Sequence, residues 1–198
     1  MDLFDSPGTL VPIPIHDGKL AWQAQLPLPY SNEELFARLL EQTPWRAETV
    51  LVYGKRHLQP RLTAWYGDAS YTYSGLRLAP LAWTPLLGEI RTAVEAACAR
   101  RFNSVLLNLY RDERDSMGMH SDDEPELGPA PAIASLSYGA TRTFILKHKR
   151  DKRTLRLPLS AGGLLLMSGA TQQNWLHGIN KSTRSLGGRI NLTFRYIV

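Results

Sequence analysis

His120-Ser121-Asp122 sets two metal-binding side chains two residues apart. Residues i and i+2 of an extended segment point the same way, so this pair can grip one ion. A second histidine, His177, stands far along the chain and can complete two histidines and one carboxylate on one face of that ion. With its remaining positions open, this ligand set is that of a non-haem iron(II) oxygenase. A third element follows in Arg189-Ile190-Asn191-Leu192-Thr193-Phe194-Arg195. Period-2 alternation puts Arg189, Asn191, Thr193 and Arg195 on one face, and Ile190, Leu192, Phe194 and Tyr196 on the other. Two arginines facing a metal fit a dianionic ligand, because a guanidinium meets a carboxylate with two parallel hydrogen bonds.

Short strands have to position these groups. Beyond Phe102, apolar segments at Ser104–Arg111, Ala132–Tyr138, Arg142–Lys147, Thr154–Leu157, Leu164–Met167 and Arg189–Val198 are separated by Gly, Pro and charged turns. That rhythm predicts an all-β sandwich or barrel. Helices are expected earlier. Ser31 and Glu34 form a capping box for a helix that runs through Leu35, Leu39 and Leu40 and stops before Pro44. Thr84-Pro85 starts a second, with Leu87, Ile90, Val94 and Ala97 at helical spacing. The first thirty residues are Pro-rich and irregular, with a short apolar piece around Leu10–Ile15. The order predicts a sheet core braced on one side by N-terminal helices, an α+β chain that is mainly β.

The chain has 198 residues, 43% hydrophobic and 21% charged, which suits one globular domain. One cysteine allows no internal disulfide, and Cys98 is expected as a small buried hydrophobe in a helix of a cytoplasmic protein. There is no apolar run of membrane-spanning length and no basic-then-apolar leader, so neither membrane insertion nor secretion is expected. A formal charge of +5 suits a polyanionic partner.

Several runs carry a resemblance. RLTAWYGD (61–68), YTYSG (71–75), FNSVLLNLYRDERDSMGMHSDDEPELG (102–128), IASLSYGATRTF (133–144), GGLLLMSGATQQNWLH (162–177) and RINLTFR (189–195) resemble the AlkB family of iron(II)- and 2-oxoglutarate-dependent nucleic-acid dealkylases. The resemblance implies a double-stranded β-helix, or jelly roll. It implies one domain over 1–198, with helices and a nucleotide-recognition region to about residue 100 and the catalytic core after it. His120, Asp122 and His177 would hold Fe(II), with 2-oxoglutarate and O2 as cosubstrates. Arg189 would take the distal carboxylate of 2-oxoglutarate. Asn108 and Tyr110 would donate hydrogen bonds to it, and Arg195 would lie near its metal end. Asn191 and Thr193 share that face, and Thr193 adds a hydroxyl.

For the substrate, chemistry on a base requires taking it out of the stack. By resemblance Tyr73 stacks on the flipped base, with Tyr71 and Ser74 beside it. Asp123 and Glu124 would favour a cationic base such as 1-methyladenine or 3-methylcytosine. Tyr53 lies where a duplex-acting relative carries a wedge. Lys55, Arg56, Arg61, Lys147, Lys149, Arg150, Lys152, Arg153, Lys181 and Arg184 are phosphate-contact candidates, densest at His148–Arg153. The implied activity is oxidative demethylation of methylated DNA or RNA by a monomer, releasing formaldehyde, succinate and CO2. A dioxygenase acting on protein or small molecules, and a non-catalytic nucleic-acid-binding module, are the alternatives.

Overall fold

The computed structural model describes residues 8–52, 55–68, 71–73, 76–78 and 80–198, with backbone alone at 50–52, 55–57, 71–73 and 76–78. Two of its elements are the expected helices. In α1 (Asn32–Gln42), Ser31 Oγ accepts the Glu34 backbone N–H at 3.1 Å, satisfying one of the free N–H groups of the first turn. In α2 (Pro85–Cys98), Thr84 Oγ1 accepts from Leu87 N at 3.2 Å and Pro85 occupies the first turn, where no N–H is needed. Leu35 and Leu39 of α1, and Leu87, Ile90, Val94 and Cys98 of α2, are buried. Burial pushes the Cys98 thiol up to about 12, so it stays protonated and behaves as an apolar filler.

The strands form two main sheets. The first seven in chain order are β1 (Val11–Ile13), β2 (Lys19–Gln23), β3 (Thr49–Val52), β4 (Lys55–Leu58), β5 (Leu62–Gly67), β6 (Tyr71–Tyr73) and β7 (Leu76–Leu78). After α2 come β8 (Ser104–Tyr110), β9 (Met117–His120), β10 (Ile133–Gly139), β11 (Arg142–His148), β12 (Thr154–Leu159) and β13 (Leu164–Ser168). A single turn, α3 (Thr171–Asn174), leads to β14 (Trp175–Ile179), and β15 (Arg189–Arg195) ends the series. The major sheet has the order β1-β2-β13-β10-β15-β8-β5 and the minor sheet β12-β11-β14-β9; β3–β4 and β6–β7 are separate two-stranded pairs.

Alternation along the central strands makes two cores. Val105, Leu107 and Leu109 of β8, Ala134, Leu136 and Tyr138 of β10, and Ile190, Leu192 and Phe194 of β15 face α1 and α2. Ile133, Leu165 and Met167 face the other way and meet Phe144, Leu146, Leu157, Trp175 and Ile179 of the minor sheet. The molecule is thus a sheet sandwich with helices on the outer face of the major sheet, as expected of a jelly roll braced by helices.

Two expectations change. The first thirty residues are not irregular throughout. Leu20 and Trp22 of β2 are buried, and this strand pairs with β13 in register Leu164↔Gln23 to Ser168↔Lys19. Nor is the sheet core confined to residues after 100, since β1, β2 and β5 all belong to the major sheet. Short strands win here because sheet edges supply partners that a Pro-rich sequence window cannot reveal.

Candidate metal and cosubstrate site

The two sheets meet at a cleft whose inner wall turns polar. β9 and β14 are antiparallel neighbours, and His120 stands directly opposite His177. Their ring centroids are 4.4 Å apart. Asp122 follows β9 in extended chain and turns the same way as His120. Ser121 between them turns away, and its hydroxyl donates to the Trp175 carbonyl at 2.9 Å. The Asp122 backbone N–H is held by Gln172 Oε1 at 3.0 Å, so α3 fixes the carboxylate's base. Asp122 is 3% and His177 4% exposed.

The closeness of β9 and β14 depends on Gly178. A Cβ there would meet the Met117 carbonyl oxygen at 2.8 Å and that of Gly118 at 3.0 Å. Only a residue without a side chain allows the two backbones this approach next to a histidine. The strand register also shifts between His177 and Ile179 at the same point.

The donor atoms are set for a cation. His120 Nδ1 lies 2.9 Å from the Gly118 carbonyl oxygen, to which the Nδ1–H tautomer donates, leaving Nε2 with its lone pair free. Burial, and then His177, push His120 down to about 4, so it is neutral at physiological pH. His177 Nε2 faces Asp122 Oδ2 at 3.5 Å, and that buried oxygen has no hydrogen-bond partner. The other carboxylate oxygen accepts from Arg195 Nη2 at 2.6 Å. Burial alone would raise the Asp122 carboxyl, but Arg195 and His177 outweigh it and hold the group well below the usual carboxylate range. The neutral His120 ring, the His177 imidazole and one charged, half-satisfied carboxylate make a donor set that a divalent ion needs. Among the described residues, His120, Asp122 and His177 form one of two groups able to hold a metal.

Across the cleft stands β15. Arg189, Asn191, Thr193 and Arg195 line the cavity with the three metal-site residues, Tyr110 and Ser135. Arg189 is 1% exposed. Its Nη2 donates to Ser137 Oγ at 2.8 Å, and its guanidinium lies 5.1 Å over the Tyr110 ring. Nε and Nη1 have no acceptor among the described residues. Burial pushes this arginine down to about 10, the mark of a cation taken from water without an anion opposite it. Asn191 Nδ2 donates to Ser135 Oγ at 2.7 Å, and Thr193 Oγ1 to Asn191 Oδ1 at 3.0 Å. The wall is therefore a pre-ordered polar network with two free guanidinium donors at one end and the metal group at the other.

Not every expected site residue lies here. Asn108 is on the inward face, but its Oδ1 accepts from Arg61 Nε at 2.8 Å and it does not line the cavity. Arg61 is only 9% exposed, so it faces the interior, away from the solvent where a phosphate contact would need it. Asp123 is exposed and lies 3.4 Å from Lys149 Nζ. Glu124 is half-buried, its Oε2 is unpartnered, and burial raises its carboxyl. In the β11–β12 turn, Lys149 also donates to the Gln172 carbonyl at 3.0 Å, Lys152 to the Lys149 carbonyl at 2.7 Å, and Arg153 pairs with Asp151 at 2.9 Å. Arg150 is exposed. Tyr53 and Ser74 lie outside the described residues, as do the side chains of Tyr71, Tyr73, Lys55 and Arg56; β6 pairs with β7 through Tyr71↔Leu78 and Tyr73↔Leu76.

The cleft also uses residues that motif reasoning did not select. Ser135 and Ser137 hold β15's polar face, and their i, i+2 spacing in IASLSYG was the available signal. Arg142, 2% exposed, donates to the carbonyls of Asp112, Asp115 and Asn180, tying the loop before β9 to the end of β14. Nothing local in its sequence distinguishes it from a surface arginine.

A jelly-roll sandwich with two histidines, a carboxylate and a facing arginine strand defines a class of metal-dependent oxygenase, and the sequence matches the 2OG-Fe(II) oxygenase superfamily over residues 24–195. The chain belongs to that superfamily and, within it, to the AlkB family. It is 43% identical over 173 residues to the human (Homo sapiens) alpha-ketoglutarate-dependent dioxygenase alkB homolog 3, covering 82% of this chain and 60% of that protein. It is 41% identical over 179 residues to the human DNA oxidative demethylase ALKBH2, covering 84% of this chain and 69% of that one. The chain thus spans about three fifths of the length of the alkB homolog 3 relatives. The solved structure of OsALKBH1 superposes with a TM-score of 0.62 at 15% identity, over 94% of this chain and 100% of that one, which supports the fold.

Proposed function

We propose that this chain is an iron(II)- and 2-oxoglutarate-dependent dioxygenase that demethylates N-alkylated bases, 1-methyladenine and 3-methylcytosine, in DNA or RNA. The observation that carries the reading is the pairing in one cleft of a His–Asp–His group able to hold a metal with a buried, half-unpaired arginine. Iron(II), when bound with 2-oxoglutarate and O2, would supply the oxidising chemistry: 2-oxoglutarate gives succinate and CO2, one oxygen atom goes to the N-methyl carbon, and the hydroxymethyl group is lost as formaldehyde.

The chain's own residues do the rest. His120 and His177 of the minor sheet, with Asp122 just after β9, would hold the metal. Arg189 Nε and Nη1 bind the distal carboxylate of the cosubstrate, with Tyr110 packing beneath the guanidinium. Arg195 keeps Asp122 ionised and oriented. The apolar walls Phe144, Met167 and Ile179 exclude water from the reacting end. Tyr71, Tyr73 and Ser74 receive the flipped base, a role resting on resemblance to the AlkB family. Glu124, whose free oxygen sits near Asp122, adds negative charge where a cationic methylated base would lie.

Exposed Arg150 and the charge of +5 favour a nucleic-acid substrate over a small molecule. The lone buried thiol of Cys98 suits a monomer in a reducing cytoplasm. Among the described residues no helix is long and apolar enough to cross a membrane. The test is mass analysis of a 1-methyladenine oligonucleotide incubated with iron(II), 2-oxoglutarate and protein. Wild type should convert it to the adenine form, and Asp122→Ala, folded by circular dichroism, should not. Conversion by the variant at the wild-type rate would remove the metal assignment.

A further inference from the structure

A second cluster of ligand side chains lies outside the cleft, where the β1–β2 turn crosses the β11–β12 hairpin. His16, Asp17 and His148 place one donor atom each within 4.8 Å of one another. His16 Nδ1 is 3.0 Å and His148 Nε2 3.5 Å from the same oxygen, Asp17 Oδ2. A tetrahedral ion with ligands at about 2.0–2.1 Å sets its donors roughly 3.3 Å apart, so the two separations bracket what one ion imposes.

His148 supplies the independent observation. It is 2% exposed, and its Nε2 has no hydrogen-bond partner although it aims at a carboxylate oxygen. Its other nitrogen, Nδ1, lies 3.0 Å from Asp151 Oδ1. Nδ1 also accepts the Asp151 backbone N–H at 3.2 Å; in the other tautomer Nδ1–H donates to Asp151 Oδ1, and Nε2 then presents its lone pair to Asp17 Oδ2. A cation between Nε2 and Asp17 Oδ2 selects that second tautomer. A carboxylate behind a histidine whose far nitrogen faces a cation is the usual support of a metal-binding imidazole.

The turn that carries His16 and Asp17 is fixed before any ion arrives. Asp17 adopts φ +50°, in the left-handed region that Asp tolerates. Trp175 Nε1 donates to the His16 carbonyl at 2.8 Å, and Asn174 Nδ2 to that of Asp17 at 3.1 Å. His16 and His148 rings stand edge to face at 5.9 Å.

We propose that His16, Asp17 and His148 form a second, structural metal site for a zinc-like divalent ion, with Asp151 positioning His148. Two imidazoles and one carboxylate, with water in the fourth place, match the donor preference of zinc(II). The ion staples the N-terminal hairpin to β11 and β14. His148 pairs with Trp175, two residues before His177, so the staple lies one strand repeat from the cleft's own histidine. The proposal does not depend on the reaction assigned to the cleft.

The test uses the full chain with His120→Ala and Asp122→Ala, which disables the cleft site, stripped of metal and titrated with zinc(II) by calorimetry. One equivalent should bind in the micromolar range or tighter, and the melting temperature should rise with zinc. Adding His16→Ala and Asp17→Asn, both at exposed side chains, should weaken binding roughly 100-fold or more and abolish the rise in melting temperature. Asp151→Asn should weaken it less, because that residue orients and does not ligate. Failure to bind zinc below millimolar concentration, or unchanged binding in the His16/Asp17 variant, overturns the proposal. A cobalt(II) spectrum of tetrahedral type, lost in the same variant, gives a second readout should calorimetric heats be small.

Discussion

Arg195 and Asp122 are joined by a 2.6 Å hydrogen bond from Nη2 to Oδ1, between the last residue of β15 and the loop after β9. The bond spans the two sheets and leaves Oδ2 turned toward His177. It is also the largest influence keeping a buried carboxylate ionised. Arg195→Met removes that cation while keeping the side chain's length. Burial should then push the Asp122 carboxyl upward, and its charged form should survive only at higher pH. Iron(II) binding by the variant should therefore fall away at a higher pH than in wild type. Anaerobic metal titration across pH checks it, and superimposable profiles would show that Arg195 does not act on Asp122.

Arg189 is the deepest cation of the cleft, and two of its donor atoms are unpaired. Losing a bidentate pair with a carboxylate in such a place costs about 2–4 kcal/mol. Arg189→Ala should therefore raise the 2-oxoglutarate concentration needed for half-maximal turnover by roughly 30-fold or more. Succinate formation measured against 2-oxoglutarate decides it. An unchanged requirement would move the distal carboxylate elsewhere, with Arg195 the next guanidinium along the strand.

Gly178 lets β9 and β14 close on each other. Gly178→Ala would press a methyl group onto two carbonyl oxygens of β9. We expect a stability loss of about 1–3 kcal/mol, the range for forcing volume into a packed site. Metal affinity should fall with it, because His120 would shift relative to His177. Urea denaturation and metal titration of one variant report the two effects. Loss of neither would mean that the strands part without disturbing the site.

Arg61 marks the boundary of what residue type can tell. A basic residue in a basic chain is an obvious phosphate-contact candidate, yet here the guanidinium is buried and holds Asn108. Arg61→Met should cost about 1–3 kcal/mol of stability by leaving Asn108 unpaired. It should leave the salt dependence of oligonucleotide binding unchanged, whereas deleting a phosphate contact lowers that slope by about one. A reduced slope with unchanged stability would restore the surface reading.

The contrast between Arg61 and Arg189 shows how far the sequence reaches. Arg189 was legible because its neighbours alternate: Ile190, Leu192 and Phe194 fill the core against the helices, which forces Arg189, Asn191 and Thr193 to the other face. The capped helices were legible from Ser31 and Thr84 for similarly local reasons. Arg61 has a tertiary partner 47 residues away that no pattern announces. The β2 strand was hidden among prolines because its stability comes from pairing with β13, not from its own five residues. His148 carried no special signal within a run of basic residues, and only the fold brings His16 and Asp17 to it.

The most direct test of the central claim is the stoichiometry of succinate and formaldehyde with three oligonucleotides: unmodified, 1-methyladenine and 3-methylcytosine. A demethylase predicts that either methylated base stimulates succinate formation, with one formaldehyde for each additional succinate, and that the unmodified strand gives only slow, formaldehyde-free turnover. Equal succinate formation with all three, and no formaldehyde from any, would contradict the account and turn the cleft over to a different substrate.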